Sequence, residues 1–379
     1  MKTVTAIILA GGSAARLLPL SARKPKSFLP FMGKPLINYL LRDLIKYEIN
    51  DIIISTSPLS DKEILFLKKY SVKIHNSSLW SGTVGGITEV LRTFKNKVSD
   101  PFLVIYGDSL LEVNYKEFLS NHLEDKTKAT ILFHRPIFEN FLFEFHGQLI
   151  NDEKRTSYGI MDIDSQNYIK KFVEKPTIQS INTEFSNPVA NAAVYILDKE
   201  IFEHITGNQI RDFAKDFFPQ MIKRKMYIRG FNIGTGYRYD LGTTYNYYSL
   251  QLAILMKKFN FEIDYAHVDN ALWMGESEDQ FTNSQIVQPA LICNNVKLAG
   301  SKIENSIIGN NVEVGQQTQI KNSIIFDNVS IGEKVSVLNS IIGEYAYIGH
   351  NTIIPPFSII GDYCRFNNPK IFFNKDSIL

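Results

Sequence analysis

The sequence predicts an α/β domain with a mainly parallel sheet, followed by a parallel β-helix. In the first half, short apolar runs alternate with amphipathic runs of helical period, which is typical of βαβ units. Near the other end, the motif NSII begins at Asn305, Asn322 and Asn339, so the chain repeats itself every 17 residues. A regular repeat of this kind is typical of a solenoid.

The first half predicts strands and helices in alternation. Short apolar runs predict strands at residues 4–9, 51–56 and 101–108. Leucine and isoleucine at helical spacing predict helices at residues 35–47, 61–69 and 87–94. After residue 128, the segments ATILFHR, YGIMDID, YIKKFVEKP and VANAAVYIL indicate strands of a more antiparallel part, and helical spacing resumes at 211–225 and 243–259.

The last third carries an aliphatic residue at almost every sixth position. Each such hexad predicts one short strand and a turn, and three hexads close one triangular coil of a β-helix. The predicted core positions are Ile308, Val314, Ile320, Ile325, Ile331, Val337, Ile342, Ile348, Ile354 and Ile360. The segment before the repeats has no clean period, and we expect a first domain at 1–259, a connection at 260–285, and the β-helix with a C-terminal tail at 286–379.

Composition excludes several classes of function. The 379 residues carry 41 Lys and Arg against 39 Asp and Glu, a formal charge of +2, without the basic excess typical of nucleic-acid partners. No apolar stretch approaches the roughly 20 residues of a membrane helix, and no secretory signal begins the chain, so we expect a cytoplasmic protein without a membrane partner. Two scattered cysteines, Cys293 and Cys364, indicate reduced thiols.

The stretch AIILAGGSAARLLPLSARKPKSFLP, residues 6–30, predicts a phosphate site. A strand runs into Gly11 and Gly12, and four cationic side chains follow before the last proline. Glycines let backbone N–H groups approach an anion closely, and Arg and Lys donate charge-assisted hydrogen bonds to its oxygens. The stretch is neither the dinucleotide-binding fingerprint nor the P-loop.

Residues 9–30 resemble the signature loop of the sugar-1-phosphate nucleotidylyltransferases, LAGG-x-G-T-R-L-x-P-L-T, a spacer, then P-K-x-x-L-P. Several relatives carry a C-terminal left-handed β-helix, so the resemblance covers nearly the whole chain. It implies a Rossmann-like mixed-sheet nucleotidyltransferase domain, with Arg16 and Lys26 as the catalytic cations on the NTP phosphates. The implied nucleotide-binding residues of the loop are Leu9, Ala10, Gly11, Gly12 and Ser13.

Further motifs follow in the order of that family. SGTVGG resembles the segment along the nucleotide base, which implies that Gly82 and Thr83 bind there. VIYGDSL and GYRYDLGT resemble the family's G-D and G-Y-W-x-D-I-G-T elements, which implies Mg²⁺ ligands at Asp108 and Asp240; Mg²⁺ prefers one or two carboxylates. YGIMDID, KKFVEKP and NAAVYIL resemble the sugar-side elements, and the implied sugar-phosphate-binding residues are Tyr158, Gly159, Glu174, Lys175 and Asn191.

The resemblance implies a reaction without a covalent intermediate. The phosphate oxygen of a sugar 1-phosphate attacks the α-phosphorus of an NTP, and pyrophosphate leaves. Two departures stand out: Ala14-Ala15 replaces the usual G-T, and Ser77 occupies the place of a glutamine typical of pyrimidine-specific relatives. Alanine at position 14 costs on the order of 1 kcal/mol if that position needs positive φ. The base stays open, with GTP and mannose 1-phosphate or a glucose 1-phosphate variant as the first candidates.

Two other functions are kept as alternatives. One is a catalytically silent regulatory or scaffold homologue, which the retained charged motifs disfavour. The other is a bifunctional enzyme whose β-helix also transfers an acyl group, with His350 as the base. We expect a homo-oligomer, a dimer or a tetramer, built through the β-helix. Of the four loop cations, Arg23 and Lys24 are expected to face solvent or to be accessory.

Overall fold

The computed structural model describes residues 4–12, 14–77, 82–125, 127–135, 155–204, 210–234, 236–276 and 281–366. Two compact units divide the chain. The sheet unit comprises Met1–Ser13 and Ile37–Asp240, and the solenoid unit comprises Ala14–Leu36 and Leu241–Leu379. Each unit combines two separate segments of the chain, whereas the sequence analysis expects consecutive domains with boundaries at residues 259 and 285. Those boundaries stay a prediction.

The strands of the sheet unit are β1 (Thr5–Leu9), β2 (Asp51–Thr56), β3 (Lys73–Asn76), β4 (Phe102–Tyr106), β5 (Ser109–Leu111), β6 (Ala129–His134), β7 (Gly159–Ile163), β8 (Ile169–Glu174), β9 (Pro188–Leu197), β10 (Arg229–Asn232) and β11 (Arg238–Asp240). Among the described residues nine of them form one sheet in the order β8-β7-β9-β4-β1-β2-β3, in which β6 pairs with β9 and β10. The remaining two, β5 and β11, pair with each other.

The helices of the sheet unit are α1 (Ile37–Lys46), α2 (Asp61–Leu67), α3 (Gly82–Phe94), α4 (Tyr115–Asp125), α5 (Ile178–Glu184), α6 (Glu200–His204) and α7 (Phe218–Lys223). Their ends follow ordinary capping chemistry. Ser60 and Glu63 form a capping box at the start of α2, and the hydroxyl of Thr177 accepts from the amide of Ser180 at the start of α5.

The sheet is mixed, as the sequence predicts. β1 pairs in parallel with both β2 and β4, and β4 pairs antiparallel with β9. The chain therefore leaves β1 on one side for β2 and β3 and later returns on the other side as β4. At such a reversal of strand order, the carboxyl ends of the two central strands leave a crevice in which ligands bind.

The solenoid is a parallel β-helix with three stacks of short strands. One stack contains Phe281–Thr282, Lys297–Ala299, Glu313–Val314, Ser330–Ile331, Tyr347–Ile348 and Arg365–Phe366. Gln285–Ile292 and Lys302–Ile308 contribute to both other stacks, which continue as Gln319–Lys321, Ser336–Leu338 and Ile353–Ile354 and as Ile324–Ile325, Ile341–Ile342 and Ile359–Ile360. All ten hexad positions predicted from the sequence are at most 3% exposed, which confirms the β-helix.

The NSII motif repeats because its asparagines stack. Asn305, Asn322 and Asn339 have φ of +44°, +47° and +47°, a left-handed conformation that asparagine tolerates better than most residues. The Asn305 side-chain amide donates to Asn322 Oδ1 at 2.7 Å, and that of Asn322 donates to Asn339 Oδ1 at 2.9 Å. The ladder keeps successive coils in register.

The solenoid unit also holds a helix and the segment Ala14–Leu36. The helix α8 (Thr244–Leu255) is capped by Thr243, and its Gln251 Oε1 accepts from the amide of Met32 at 2.9 Å. Two strands, Ala266–Asp269 and Leu272–Met274, lie in the segment predicted as a connection, and the second of them pairs with the solenoid strand Gln285–Ile292. No helix of the described residues is long and apolar enough to cross a membrane.

Candidate functional site

The crevice at the carboxyl ends of β1 and β4 carries the first two glycines of the signature loop. Backbone groups of Leu9 and Ala10 form hydrogen bonds with neighbouring segments of the sheet unit. The Leu9 carbonyl accepts from the Gly107 amide at 2.9 Å, and the Ala10 amide donates to the Ser55 carbonyl at 2.8 Å. A Cβ on Gly11 would lie 3.2 Å from Ser77 Oγ, whereas a Cβ on Gly12 would meet nothing within 4 Å. The exposed backbone of Gly12 therefore leaves room for a ligand; Ser13 lies outside the described residues.

The pairing of β5 with β11 places the backbones of Asp108 and Asp240 one residue apart in register within the sheet unit. Asp240 is paired with Ser109 across β5 and β11, and Asp108 directly precedes Ser109. Residues opposite each other in an antiparallel pair have Cα atoms about 4.5–5.5 Å apart. Within the described part of the chain, the buried Ser109 hydroxyl has no hydrogen-bond partner. Two carboxylates and a hydroxyl are oxygen ligands that fit a hard divalent cation such as Mg²⁺.

An ion held by this pair would need ligands beyond the acidic side chains of the described residues. Among the described residues, no three His, Cys, Asp or Glu side chains are grouped closely enough to hold a metal ion. Mg²⁺ commonly completes its octahedron with water and substrate phosphates. The pair Asp108 and Asp240 therefore suits an ion that binds together with a phosphate ligand.

The backbone conformation at the start of α3 explains the glycine and threonine of the G-T segment, Gly82 and Thr83. Gly82 begins α3 with φ +67°, and a Cβ on it would lie 2.4 Å from the carbonyl oxygen of Arg211. Only glycine fits that conformation and that approach. The hydroxyl of Thr83 accepts from the amide of Phe213 at 3.1 Å and also hydrogen-bonds Tyr106. Both predicted base-side residues thus fix the start of α3.

Four predicted sugar-side residues come together at the β7–β8 pair. Gly159 is opposite Glu174, and a Cβ on it would lie 2.9 Å from Glu174 Oε2, so glycine leaves space for that carboxylate. Lys175 has φ +49°, and its amide donates to the Tyr158 carbonyl at 3.1 Å. Burial raises the pKa of Glu174, an effect that the ammonium of Lys175, 3.9 Å away, partly offsets.

Asn191 is placed by an irregularity in β9. The register between β9 and β6 shifts between Asn191 and Tyr195, and Ala193 has φ +57°. Such bulges re-aim side chains next to functional sites. Asn191 Oδ1 accepts from the Ala193 amide at 2.9 Å, and Nδ2 donates to the Tyr195 hydroxyl at 3.0 Å. Tyr195 also hydrogen-bonds Tyr106, so buried tyrosines link Asn191 to Thr83, which the sequence predicts at the base side.

Arg238 contacts the predicted sugar-side residue Tyr158, and the sequence reasoning missed it. Its guanidinium carbon lies 4.7 Å from the centre of the Tyr158 ring, and its Nε donates to the Ala192 carbonyl at 3.1 Å. His134 contacts the edge of Tyr158 with ring centres 5.4 Å apart, and burial, aided by Arg238, lowers its pKa to about 3. The signal was present in GYRYDLGT, where an arginine stands at the tryptophan position of the family motif.

Arg16 and Lys26 belong to the solenoid unit. Arg16 is exposed on the short helical turn Ala15–Leu17, and Lys26 begins the turn Lys26–Phe28 with 6% of its surface exposed. Ala14 has φ +34°, the costly conformation considered for that position. The expectation that Lys24 faces solvent is wrong, because its ammonium pairs with Glu344 and its side chain is 9% exposed.

His350, the base proposed for acyl transfer, has a structural contact. Its Nδ1 accepts from the amide of Glu333 on the preceding coil at 3.1 Å. The imidazole is exposed and helps to join two coils of the solenoid. This contact gives the residue a role without acyl transfer.

Comparison with known proteins covers both parts of the chain. Residues 5–257 match the family described as nucleotidyl transferase, and residues 273–370 match the family described as EIF2B subunit epsilon LbH domain. A Sulfolobus acidocaldarius protein named "Putative mannose-1-phosphate guanyltransferase" is 28% identical over 80% of this chain and 76% of its own length. A glucose-1-phosphate adenylyltransferase of Mycoplasma mobile is 26% identical over 84% of each chain. A UTP–glucose-1-phosphate uridylyltransferase of Synechocystis is 24% identical over 71% of this chain and 68% of its own.

Proposed function

Because the chain belongs to the nucleotidyl transferase family, we propose that it transfers a nucleotidyl group from an NTP to a hexose 1-phosphate. The observation that carries the proposal is the β5–β11 pairing, which places Asp108 and Asp240 one residue apart in register in the same unit as the open backbone of Gly12. An oxygen of the sugar phosphate forms a bond to the α-phosphorus, the bond to the β-phosphate oxygen breaks, and pyrophosphate leaves with that electron pair. No proton has to be transferred.

The charges of the reaction define the roles of the residues. Two polyanions have to meet, so neutralisation and in-line positioning carry most of the catalysis. Arg16 and Lys26 bind the phosphates of the NTP, and the low exposure of Lys26 strengthens its interaction with an anion. Asp108 and Asp240 would hold Mg²⁺, which when bound offsets negative charge on the phosphates. Gly82 and Thr83 border the base.

The sugar 1-phosphate binds at the β7–β8 pair and the bulge of β9. Lys175 binds the phosphate of the sugar, because its side chain is 46% exposed and its ammonium can reach an anion beside Glu174. Glu174 and Asn191 bind hydroxyls of the sugar, and both are held in place by neighbours. A site built from such polar groups rejects an analogue that lacks one hydroxyl.

The nucleotide and the sugar are proposed only as first candidates. The three relatives are named for guanylyl, adenylyl and uridylyl transfer and for mannose or glucose 1-phosphate. We propose GTP with mannose 1-phosphate, or a glucose 1-phosphate variant, as the pairs to test first. A cytoplasmic location and a homo-oligomer formed through the solenoid stay predictions.

A substrate grid tests the function. Purified protein with Mg²⁺ is mixed with each common NTP and with mannose, glucose or N-acetylglucosamine 1-phosphate, and pyrophosphate release is measured. We expect turnover in at least one pair. Turnover in none would contradict the enzyme and favour the regulatory or scaffold homologue.

The metal ligands are tested on the pair that gives turnover. Asp108→Asn and Asp240→Asn are each expected to lower kcat about 100-fold or more with unchanged melting temperature, because the neutral amide binds Mg²⁺ weakly. Asp61→Asn, an exposed carboxylate at the start of α2, is the matched control and is expected to keep wild-type rates. Wild-type rates in either site variant would show that the assigned ligands are wrong.

A further inference from the structure

Lys24 forms a buried ion cluster with the last coils of the solenoid. Its Nζ lies 2.9 Å from Glu344 Oε2 and 3.2 Å from Asp362 Oδ2. The three side chains are 9%, 8% and 4% exposed. All three groups belong to the solenoid unit, although Lys24 is part of the loop motif near the start of the chain. Charges this poorly hydrated depend on each other, since removal of one partner leaves the others buried and uncompensated.

Two more contacts hold the same stretch, residues 14–29, which we call the anchored segment. The guanidinium carbon of Arg23 lies 4.9 Å from the centre of the Tyr363 ring, which stacks on Tyr345 with ring centres 4.8 Å apart. A Cβ on Gly361 would lie 3.1 Å from Pro19 Cβ, so the glycine leaves room for the proline. The anchored segment therefore rests on two neighbouring coils.

Asp362 is itself fixed by the stacking of those coils. Its Oδ1 accepts from the Glu344 amide at 2.8 Å, while Oδ2 faces Lys24. A Cβ on Gly343 would lie 2.6 Å from Oδ1, so this contact also requires a glycine on the neighbouring coil. Burial raises the pKa of Asp362, an effect that Lys24 opposes. The carboxylate is a rigid partner for the ammonium.

We propose that Lys24 is a positioning residue for nucleotidyl transfer: clamped between Glu344 and Asp362, it fixes the anchored segment so that Arg16 and Lys26 meet the phosphates of the NTP. The proposal rests on the proposed function. Lys26 follows Lys24 after a single proline, so a shift of Lys24 is passed directly to it. A misplacement of about 1 Å by a distant mutation can cost about 100-fold in rate.

The test is Lys24→Met, assayed by pyrophosphate release with NTP and sugar phosphate varied separately. We expect kcat/KM for the NTP to fall about tenfold or more, with an unchanged KM for the sugar phosphate. Lys297→Met is the matched control, because it removes an exposed ion pair with Glu313 on the same solenoid, and it is expected to keep wild-type kinetics.

Two further variants address misfolding. Glu344→Gln leaves a balanced pair of Lys24 with Asp362 and is expected to show a smaller loss. Lys24→Glu combined with Glu344→Lys keeps the charges of the cluster and is expected to recover part of the kcat/KM lost in Lys24→Glu alone. Melting temperatures are measured beside the kinetics, and a double variant that melts like the wild type but recovers no kcat/KM counts against the proposal.

Hydrogen exchange of the anchored segment separates this proposal from the proposed function. Faster exchange at residues 14–29 in Lys24→Met is expected whatever the substrate. Unchanged exchange together with unchanged kcat/KM would overturn the proposal. If the wild-type chain releases no pyrophosphate from any substrate pair, the proposed function fails, and so does the role of Lys24 in nucleotidyl transfer. The exchange data still show whether Lys24 fixes the anchored segment.

Discussion

At the scale of single residues, Ala14 shows how this chain departs from the loop it resembles. Its φ of +34° and ψ of +32° lie in the left-handed region, and its carbonyl accepts from the Leu17 amide at 2.9 Å and from the Ser21 hydroxyl at 2.8 Å. These two contacts hold a conformation that alanine adopts at a cost of about 1 kcal/mol. The sequence alone identified the position but not its dihedral angles.

Ala14→Gly is expected to stabilise the folded chain slightly. Glycine adopts positive φ without strain, but it also gains freedom in the unfolded chain, so we expect a net gain in the free energy of unfolding of at most about 1 kcal/mol. Chemical denaturation of the two proteins measures it. Ala15→Gly, at the next position and inside the helical turn, is the control and is expected to be destabilising. A destabilised Ala14→Gly variant would contradict the strain argument.

Arg238 marks the limit of residue-level prediction at the site. The motifs located Tyr158, Glu174 and Asn191 because their spacing resembles a family pattern. They did not reveal Arg238, since its contact with Tyr158 depends on the pairing of β11 with β5. The arginine at the tryptophan position of GYRYDLGT is visible in the sequence, but its partner Tyr158 is not, because a tertiary contact joins the two residues.

At the scale of elements, α1 buries a carboxylate that no motif predicts. Asp43 has a pKa raised to about 7, first because of burial and also because of Glu112, while Lys46 lowers it. Its Oδ2 and the Tyr115 hydroxyl are buried and lack hydrogen-bond partners among the described residues. An unsatisfied buried carboxylate destabilises the fold when it is ionised.

Asp43→Asn is therefore expected to have a pH-dependent effect on stability. The folded pKa of about 7 lies above the value of 3.8 for an unperturbed aspartate, so the folded wild type loses stability as the pH rises from about 4 to 7. The amide does not ionise, and between pH 5 and pH 8 we expect the variant to gain on the order of 2 kcal/mol relative to wild type.

Urea denaturation at both pH values measures the Asp43→Asn difference. The exposed Asp61→Asn variant serves as control, and its stability relative to wild type is expected to be the same at pH 5 and pH 8. A difference between Asp43→Asn and wild type that does not change with pH would show that Asp43 is not the titrating group.

At the scale of the whole molecule, periodic features were predictable and distant contacts were not. The hexads of the solenoid and the alternation of strands and helices in the sheet unit can be recognised in the sequence, because buried positions recur there at a regular spacing. The ion cluster of Lys24 with Glu344 and Asp362 joins opposite ends of the chain, so no local pattern contains it. The same reasoning explains why Lys24 was expected to face solvent.

Because Ala14–Leu36 belongs to the same unit as the solenoid, we predict that the first 259 residues do not form an independent enzyme. Ala14–Leu36 belongs to the solenoid unit, and a fragment ending at residue 259 lacks the coils that hold Lys24 and Pro19. We expect such a fragment to release pyrophosphate at least about tenfold more slowly than the full chain, because its loop cations are misplaced.

The loss has to be traced to the loop rather than to general unfolding. Hydrogen exchange reads the two regions separately: in the fragment, residues 14–29 are expected to exchange fast, while β1, β2 and β4 stay protected because their pairing lies entirely within the sheet unit. A fragment with the activity of the full chain would show that the loop needs no support from the solenoid, and protection of residues 14–29 in that fragment would lead to the same conclusion.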